Sequence, residues 1–155
     1  MKQIQHFIVN QNIAGKNLVI TDKETIHQMQ NVLRFRVGEE CVILDGKGAK
    51  ADGTIEEINR KTLSISLKNH EKFVEEKIKI RLFVALPKKP ATFEMILQKA
   101  TEMGVHEITP IISERTQIQE IRKLDRMNLI IKEASEQCER IFLPQLNDEI
   151  KFADF

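Results

Sequence analysis

Apolar positions in this chain follow two rhythms, separated by a charged stretch without a period. Before it they recur mostly at every second residue, in short runs. "IQHFIV" (4–9) predicts a strand, Gly15-Lys16 a turn and "LVI" (18–20) a second strand. "TDKE" (21–24) has the spacing of a capping box, with Thr21 as N-cap and Glu24 three residues on. The helix it opens, to about Leu33, carries Ile26, Met29, Val32 and Leu33 at helical spacing. "ECVILD" (40–45) predicts a strand and "DGKG" (45–48) a hairpin turn, since glycine takes positive φ cheaply. Residues 50–58 and 61–68 predict further strands. "KTLSISL" alternates Leu63, Ile65 and Leu67 with Thr62, Ser64 and Ser66, as a half-buried antiparallel strand does. Many short strands with one helix predict a small β-barrel over residues 1–70.

"NHEKFVEEK" (69–77) supplies the break, and residues 71–77 are expected to be a linker. Beyond it the pattern lengthens. "IKIRLFVAL" (78–86) predicts an apolar-rich strand, ended by Pro87 and Pro90. A helix follows with Phe93, Ile96, Leu97, Ala100 and Met103 on its apolar stripe, and Gly104 stands where a helix-ending glycine belongs. "EITPII" (107–112) predicts the next strand. A long helix is expected over 121–141, with Met127, Ile130, Ile131, Ala134, Cys138 and Ile141 on one face. Strand, helix, strand, helix predicts a parallel α/β sheet over residues 78–155.

Composition narrows the picture only slightly. Net charge is +1, and residues 1–70 carry 10 Lys+Arg against 8 Asp+Glu while 71–155 carry 14 against 15. An RNA contact must then come from a local patch, not from the overall field. Without tryptophan or tyrosine, base stacking would rest on phenylalanine, histidine or arginine. No apolar run approaches the ~20 residues that span a bilayer, and the opening residues have no cleavage-site pattern. Cys41 and Cys138 suit neither a disulfide framework nor a metal motif. A soluble cytoplasmic protein with reduced thiols is expected.

Candidate chemistry is sparse. There is no G-x-S-x-G, no P-loop, and the histidines His6, His27, His70 and His106 are scattered, so no metal is expected. "NVLRFRVGEE" puts Arg34 and Arg36 on either side of Phe35. This is either a solvated helix exit or a phosphate clamp with stacking. Lys47, at the tip of "DGKG", belongs to a simple turn or touches a nucleic-acid backbone. Lys99 and Glu102 share a helix face, as an ion pair or as site residues. "EASEQCER" aligns Glu133, Glu136 or Gln137, and Arg140 in one polar stripe: a solvated face, a subunit interface or the edge of a site. Arg115 follows the strand 107–112, at the carboxyl end where α/β sites gather. All six glycines lie at or before Gly104, so the second half lacks an obvious backbone cradle for a nucleotide-like cofactor.

Three spaced segments, "HQMQNVLRFRVGEECVILDGKGAKADGTI", "QKATEMGVHEITPIISERT" and "KEASEQCERIFLP", resemble the RsmE family, over nearly the whole chain. These are SPOUT-superfamily methyltransferases acting on N3 of a uridine in small-subunit (16S) ribosomal RNA. The resemblance implies a PUA-like RNA-binding barrel, then a homodimeric α/β domain whose C-terminal trefoil knot binds S-adenosylmethionine. It implies that His27, Arg34 and Arg36 belong to the RNA surface and that Lys99, Glu102 and Arg115 lie near the catalytic side. Arg115 and Glu102 are taken as the catalytic candidates, and Lys47, Lys88 and Lys99 as further expected RNA contacts. Glu133, Gln137 and Arg140 match the family's "EA-EQ--R" helix. The glycine-rich cofactor motifs of the family have no counterpart here. The chain is therefore expected to be a C-terminally truncated member with no cofactor-binding residues of its own: an enzyme by descent, a non-catalytic RNA-binding module, or an inactive fragment lacking the cofactor-binding knot.

Overall fold

The computed structural model describes residues 4–118, 120–121 and 123–154. They form two compact units, Met1–Glu75 with Glu139–Phe142, and Glu76–Cys138 with Leu143–Phe155.

The first unit is a curled five-stranded sheet. Its strands are β1 (His6–Ile8), β2 (Asn17–Ile20), β3 (Glu40–Leu44), β4 (Ala49–Ile58) and β5 (Leu63–Lys72), in the order β1-β3-β4-β5-β2. β1 runs parallel to β3 and the other pairs are antiparallel. β4 and β5 are ten residues each, and their ladder shifts register at Lys50/Asp52 and Ile55/Glu57. Such bulges bend long strands and let a sheet curl into a half-barrel. Glu71 and Lys72, read as the start of a linker, pair with Lys50 and Ala49 inside β5. Leu63, Ile65 and Leu67 face the core as their alternation predicted.

β3 is buried at four successive positions because both of its faces are covered. Cys41 and Ile43 join the main core with Phe7, Ile55 and Ile65, whereas Val42 and Leu44 pack with Ile8 against Ile141. Ile141, expected on the face of the last helix, has left it for the outer side of this sheet. Burial pushes the Cys41 thiol up to about 12, with Glu40 adding to it, which disfavours the thiolate.

The helix after β2 reaches the end its pattern predicts but changes type on the way. α1 spans Lys23–His27, and a π-helical turn continues it over Gln28–Val32. Its cap is Asp22, not Thr21: the Asp22 carboxylate accepts from the Thr25 N–H at 2.8 Å and from the Thr25 hydroxyl at 2.6 Å. The carboxylate satisfies an orphan N–H three residues on, that of Thr25, one residue beyond the Glu24 N–H that Thr21 would have served.

The second unit is a parallel sheet of β6 (Arg81–Ala85), β7 (Glu107–Ile112), β8 (Gln145–Leu146) and β9 (Ile150–Lys151), with β7 central. β8 and β9 both pair with the same side of β7. Pro110 explains the interruption between them. The Ile108 carbonyl faces β8, since it accepts from the Asn147 N–H at 2.9 Å, so Pro110, two residues on, faces the same side. It has no N–H to give there, and the neighbouring strand bulges past it. α2 (Pro90–Glu102) opens with Pro90 in its first turn, and Gly104 follows it at φ 85°. Met103 is 79% exposed and lies outside the apolar stripe assigned to it. α3 covers Leu124–Gln137, shorter than the 121–141 expected, and residue 122 lies outside the described residues. Cys138 is exposed. Arg126 grips Glu94 with two hydrogen bonds of 2.7 Å, tying α3 to α2 above a core of Phe93, Leu97, Ile108, Met127 and Ile131. Among the described residues no helix is long and apolar enough to cross a membrane.

Candidate functional site

In the first unit the two arginines flank a plug. Phe35 is 6% exposed and meets Phe7 edge-on, ring centroids 5.5 Å apart. It cannot stack on a base, which corrects the stacking half of the clamp reading. Burying Phe35 is instead what presents Arg34 and Arg36, both exposed, on either side of it. The Phe35 N–H donates to the Met29 carbonyl at 2.9 Å and the Arg36 N–H to the Glu39 carboxylate at 2.9 Å. Arg34 itself adopts φ 55°, a left-handed conformation that costs a non-glycine residue about 1–2 kcal/mol. His27 is also exposed, in the last turn of α1, with Nδ1 2.9 Å from the Asn31 amide.

Lys47 stands elsewhere on this unit. The Asp45 carboxylate accepts from the Lys47 N–H at 2.7 Å and the Ala49 N–H at 2.8 Å, while Gly46 and Gly48 take positive φ. Lys47 thus tops a tight hairpin and lines a cleft of about 660 Å³ together with Lys50, His70, Lys72 and the loop Asn10–Ala14. Arg34, Arg36 and His27 do not line it. Sequence reasoning missed Lys50, His70 and Lys72 as companions of Lys47. The signal exists only in the β4–β5 register, which sets Ala49 opposite Lys72 and Lys50 opposite Glu71.

In the second unit the proposed catalytic pair is not brought together. α2 returns antiparallel to the strands, so its last turn lies at the amino edge of the sheet. There the Ile80 N–H, just before β6, meets His106 Nδ1 at 3.2 Å. Lys99 and Glu102 are in that last turn, 2.7 Å apart. The Lys99 hydrogen bond holds the Glu102 carboxyl below the usual range, helped by Gln98 at 2.9 Å. A carboxylate stabilised in that way is a poor proton acceptor.

Arg115 is at the opposite, carboxyl edge, after β7. The Ser113 N–H donates to the Thr116 hydroxyl at 2.9 Å and the Thr116 N–H to the Ser113 carbonyl at 2.9 Å. This turn buries Thr116 and leaves Arg115 exposed at its tip. Just downstream, Gln117, Ile118, Glu120 and Ile121 join Leu86, Pro87, Pro90, Phe93 and Met127 around an apolar cavity of about 440 Å³. Lys88 is exposed in the loop that leads from Pro87 into α2, on the same edge. The edge therefore combines an apolar cavity with exposed cations in the loops that border it, Lys88 and Lys89 before α2 and Arg115 after β7.

Glu133 and Gln137 line a second groove, with Ala91, Glu94, Met95 and Gln98 of α2. Glu136, one of the alternatives for their stripe, is buried and 3.9 Å from Lys132. Arg140 does not continue the stripe: α3 ends at Gln137, Glu139 turns the chain at φ 58°, and Arg140 belongs to the first unit.

The second unit holds a single glycine, Gly104, and a Cβ there would meet nothing within 4 Å, so no backbone is drawn close at that point. Among the described residues no cluster of three or more His, Cys, Asp or Glu is grouped to hold a metal.

Comparison with known proteins agrees with this architecture. Residues 74–155 match the RNA methyltransferase domain family, and residues 20–68 match the RNA methyltransferase PUA domain family. The chain is 32% identical over 84% of its length to ribosomal RNA small subunit methyltransferase E of Synechocystis, covering 43% of that protein. It is 24% identical over its whole length to the protein of that name from Rickettsia conorii, covering 63% of it. The chain thus spans about half the length of these curated relatives. The ribosomal RNA small subunit methyltransferase E of Neisseria gonorrhoeae, solved bound to S-adenosyl methionine, superposes with a TM-score of 0.85 at 24% identity. It aligns with 98% of this chain and 64% of its own, and it shares the fold. An N-terminal PUA-like half-barrel followed by a SPOUT-type α/β unit, with the family match covering more than half the residues, makes this chain a member of the RsmE family of RNA methyltransferases.

Proposed function

We propose that the chain serves methylation of N3 of a uridine in small-subunit ribosomal RNA, in the cytoplasm, with S-adenosylmethionine as methyl donor. The family membership supports the reaction class, and one observation carries the site: Arg115 at the tip of a hydrogen-bonded turn beside the apolar cavity at the carboxyl edge. Uridine N3 carries a proton at neutral pH, and its loss leaves negative charge on the uracil oxygens. A guanidinium fixed on a short turn is suited to hold that charge. Lys88 on the same edge would hold a phosphate, and Arg34, Arg36 and His27 would hold RNA on the half-barrel. Glu102, tied to Lys99 at the far edge, takes no part in proton transfer in this reading; Lys99 is committed to the same ion pair.

Small-subunit RNA incubated with the chain and labelled donor tests the reading. Label on a uridine supports it. Arg115→Ala is then expected to lower the rate about 100-fold to 1,000-fold, as loss of one charge-stabilising donor does, with Arg115→Lys recovering part. An unchanged rate in Arg115→Ala removes Arg115 from the chemistry. The single glycine of the second unit, Gly104, is the observation behind a second reading, an RNA-binding module without catalysis. Calorimetry separates them, since RNA binding with no heat from the donor leaves only the module.

The resemblance also implies a homodimer. β6 is the outer strand of its sheet, and Ile78, Ile80 and Phe83 in and before it are exposed, as is Met95 on α2. Open apolar surface of this kind favours association. Sedimentation equilibrium is expected to report a dimer, and a monodisperse monomer at high micromolar concentration contradicts it.

A further inference from the structure

We propose that the cleft around Lys47 in the first unit binds an unpaired stretch of RNA, apart from the Arg34–Arg36 surface. This deepens, and rests on, the reading of that unit as RNA-binding. The cleft has about 660 Å³, within the range of pockets that enclose a small ligand, and enough for a protruding nucleotide.

Its charges are unequally occupied. One Asp45 carboxylate oxygen holds the hairpin backbone, Glu71 pairs with Lys50 at 3.2 Å, and the lining carries three lysines against these two carboxylates. Lys47 and Lys72 make no ion pair among the described residues, and both are exposed. These are the two cations left for phosphate. The lining also includes a run of amides, Asn10, Gln11 and Asn12. Gln11 donates its amide to the Val19 carbonyl at 3.1 Å, leaving its side-chain oxygen as an acceptor. Asn12 accepts from the Ala14 N–H at 2.8 Å, leaving its NH₂ as a donor. A lining offering both a donor and an acceptor matches the Watson–Crick edge of a base, and that edge is free only in a single strand. No Phe lines the cleft, so bases would be read by hydrogen bonds, with His70 the only ring available for stacking.

The test uses the 155-residue chain with a uridine-rich single-stranded octanucleotide and a duplex of equal length. Each phosphate contact on a single strand contributes a slope of about 0.7 to the fall of log K with log salt. Lys47→Ala with Lys72→Ala is expected to flatten the single-strand slope by about 1.4, or about 25-fold in affinity at 0.1 M salt. Duplex binding should change much less. Both side chains are exposed, so the variant should fold, and an unchanged melting temperature checks this. Three results overturn the proposal. An unchanged slope in this variant, with Arg34→Ala/Arg36→Ala still weakening binding, removes the cleft and leaves the arginine surface standing. Equal losses for single strand and duplex show a general electrostatic face in place of a single-strand cleft. No binding of either RNA by the unmodified chain at low salt overturns the RNA-binding reading of the unit together with the cleft.

Discussion

Phe35→Ala should unfold the half-barrel at a markedly lower temperature, at a cost of about 3–5 kcal/mol, whereas removing the arginines on either side of it should cost almost nothing. Phe35 fills the main core from the end of the π-helical turn, against Phe7 and near Met29, which is fully buried. Its truncation loses apolar burial and leaves a cavity. It also loses the anchor that presents Arg34 and Arg36, so RNA affinity should fall with stability. Arg34→Ala/Arg36→Ala separates the two effects. Both side chains are exposed, and stability should stay within about 0.5 kcal/mol of the parent while RNA affinity at low salt falls. Thermal melts alongside RNA titrations provide the check. A Phe35→Ala protein that melts like the parent would mean that the aromatic pair does not support the unit. Retained affinity in the double arginine variant would remove the clamp.

Gly48→Ala is expected to be nearly as damaging, for two separable reasons. Gly48 sits at φ 111°, where any side chain is strained, at about 1–2 kcal/mol. A Cβ there would also lie 2.9 Å from the Phe142 ring and 2.9 Å from the Phe73 carbonyl oxygen, and overpacking of that kind costs about 1–3 kcal/mol. The sum is about 2–5 kcal/mol. Gly38→Ala is the control: φ is 87° there, but a Cβ would meet nothing within 4 Å, so only the strain applies. Denaturant unfolding of both variants measures the difference. Adding Phe142→Ala to Gly48→Ala should recover part of the loss, since the ring can leave and the carbonyl cannot. If the two glycine variants cost the same, Phe142 is not packed on the hairpin.

The rhythm of apolar residues carried much of the fold. Alternation at 63–67 placed β5's inward face, Pro90 and Gly104 bracketed α2, and "DGKG" marked its hairpin, because each is decided by neighbours within a few residues. The errors share a cause. Thr21 and Asp22 both fit a cap, and only the backbone geometry selects Asp22. A helical period over 121–141 could not show that Glu139 leaves the helix. Arg34 and Arg36 were legible as exposed cations, but "RFR" does not say whether the ring between them faces a base or a core, and burial answers that.

Taken alone, the chain's local chemistry determined a strand-rich half followed by β-α-β units, the placing of Arg115 after a strand, and a family likeness strong enough to name. Tertiary structure decided everything that depends on residues far apart in sequence. It separated Glu102 from Arg115, because a helix connecting parallel strands must run back across the sheet and end at its opposite edge. It gathered Lys47, Lys50, His70 and Lys72 around one cleft through the pairing of β4 with β5. It also sent Ile141 and Phe142 to cover β3 and the hairpin, nearly a hundred residues away along the chain. Periodicity reports which face of an element is apolar; what comes to cover that face is settled only when the chain folds back on itself.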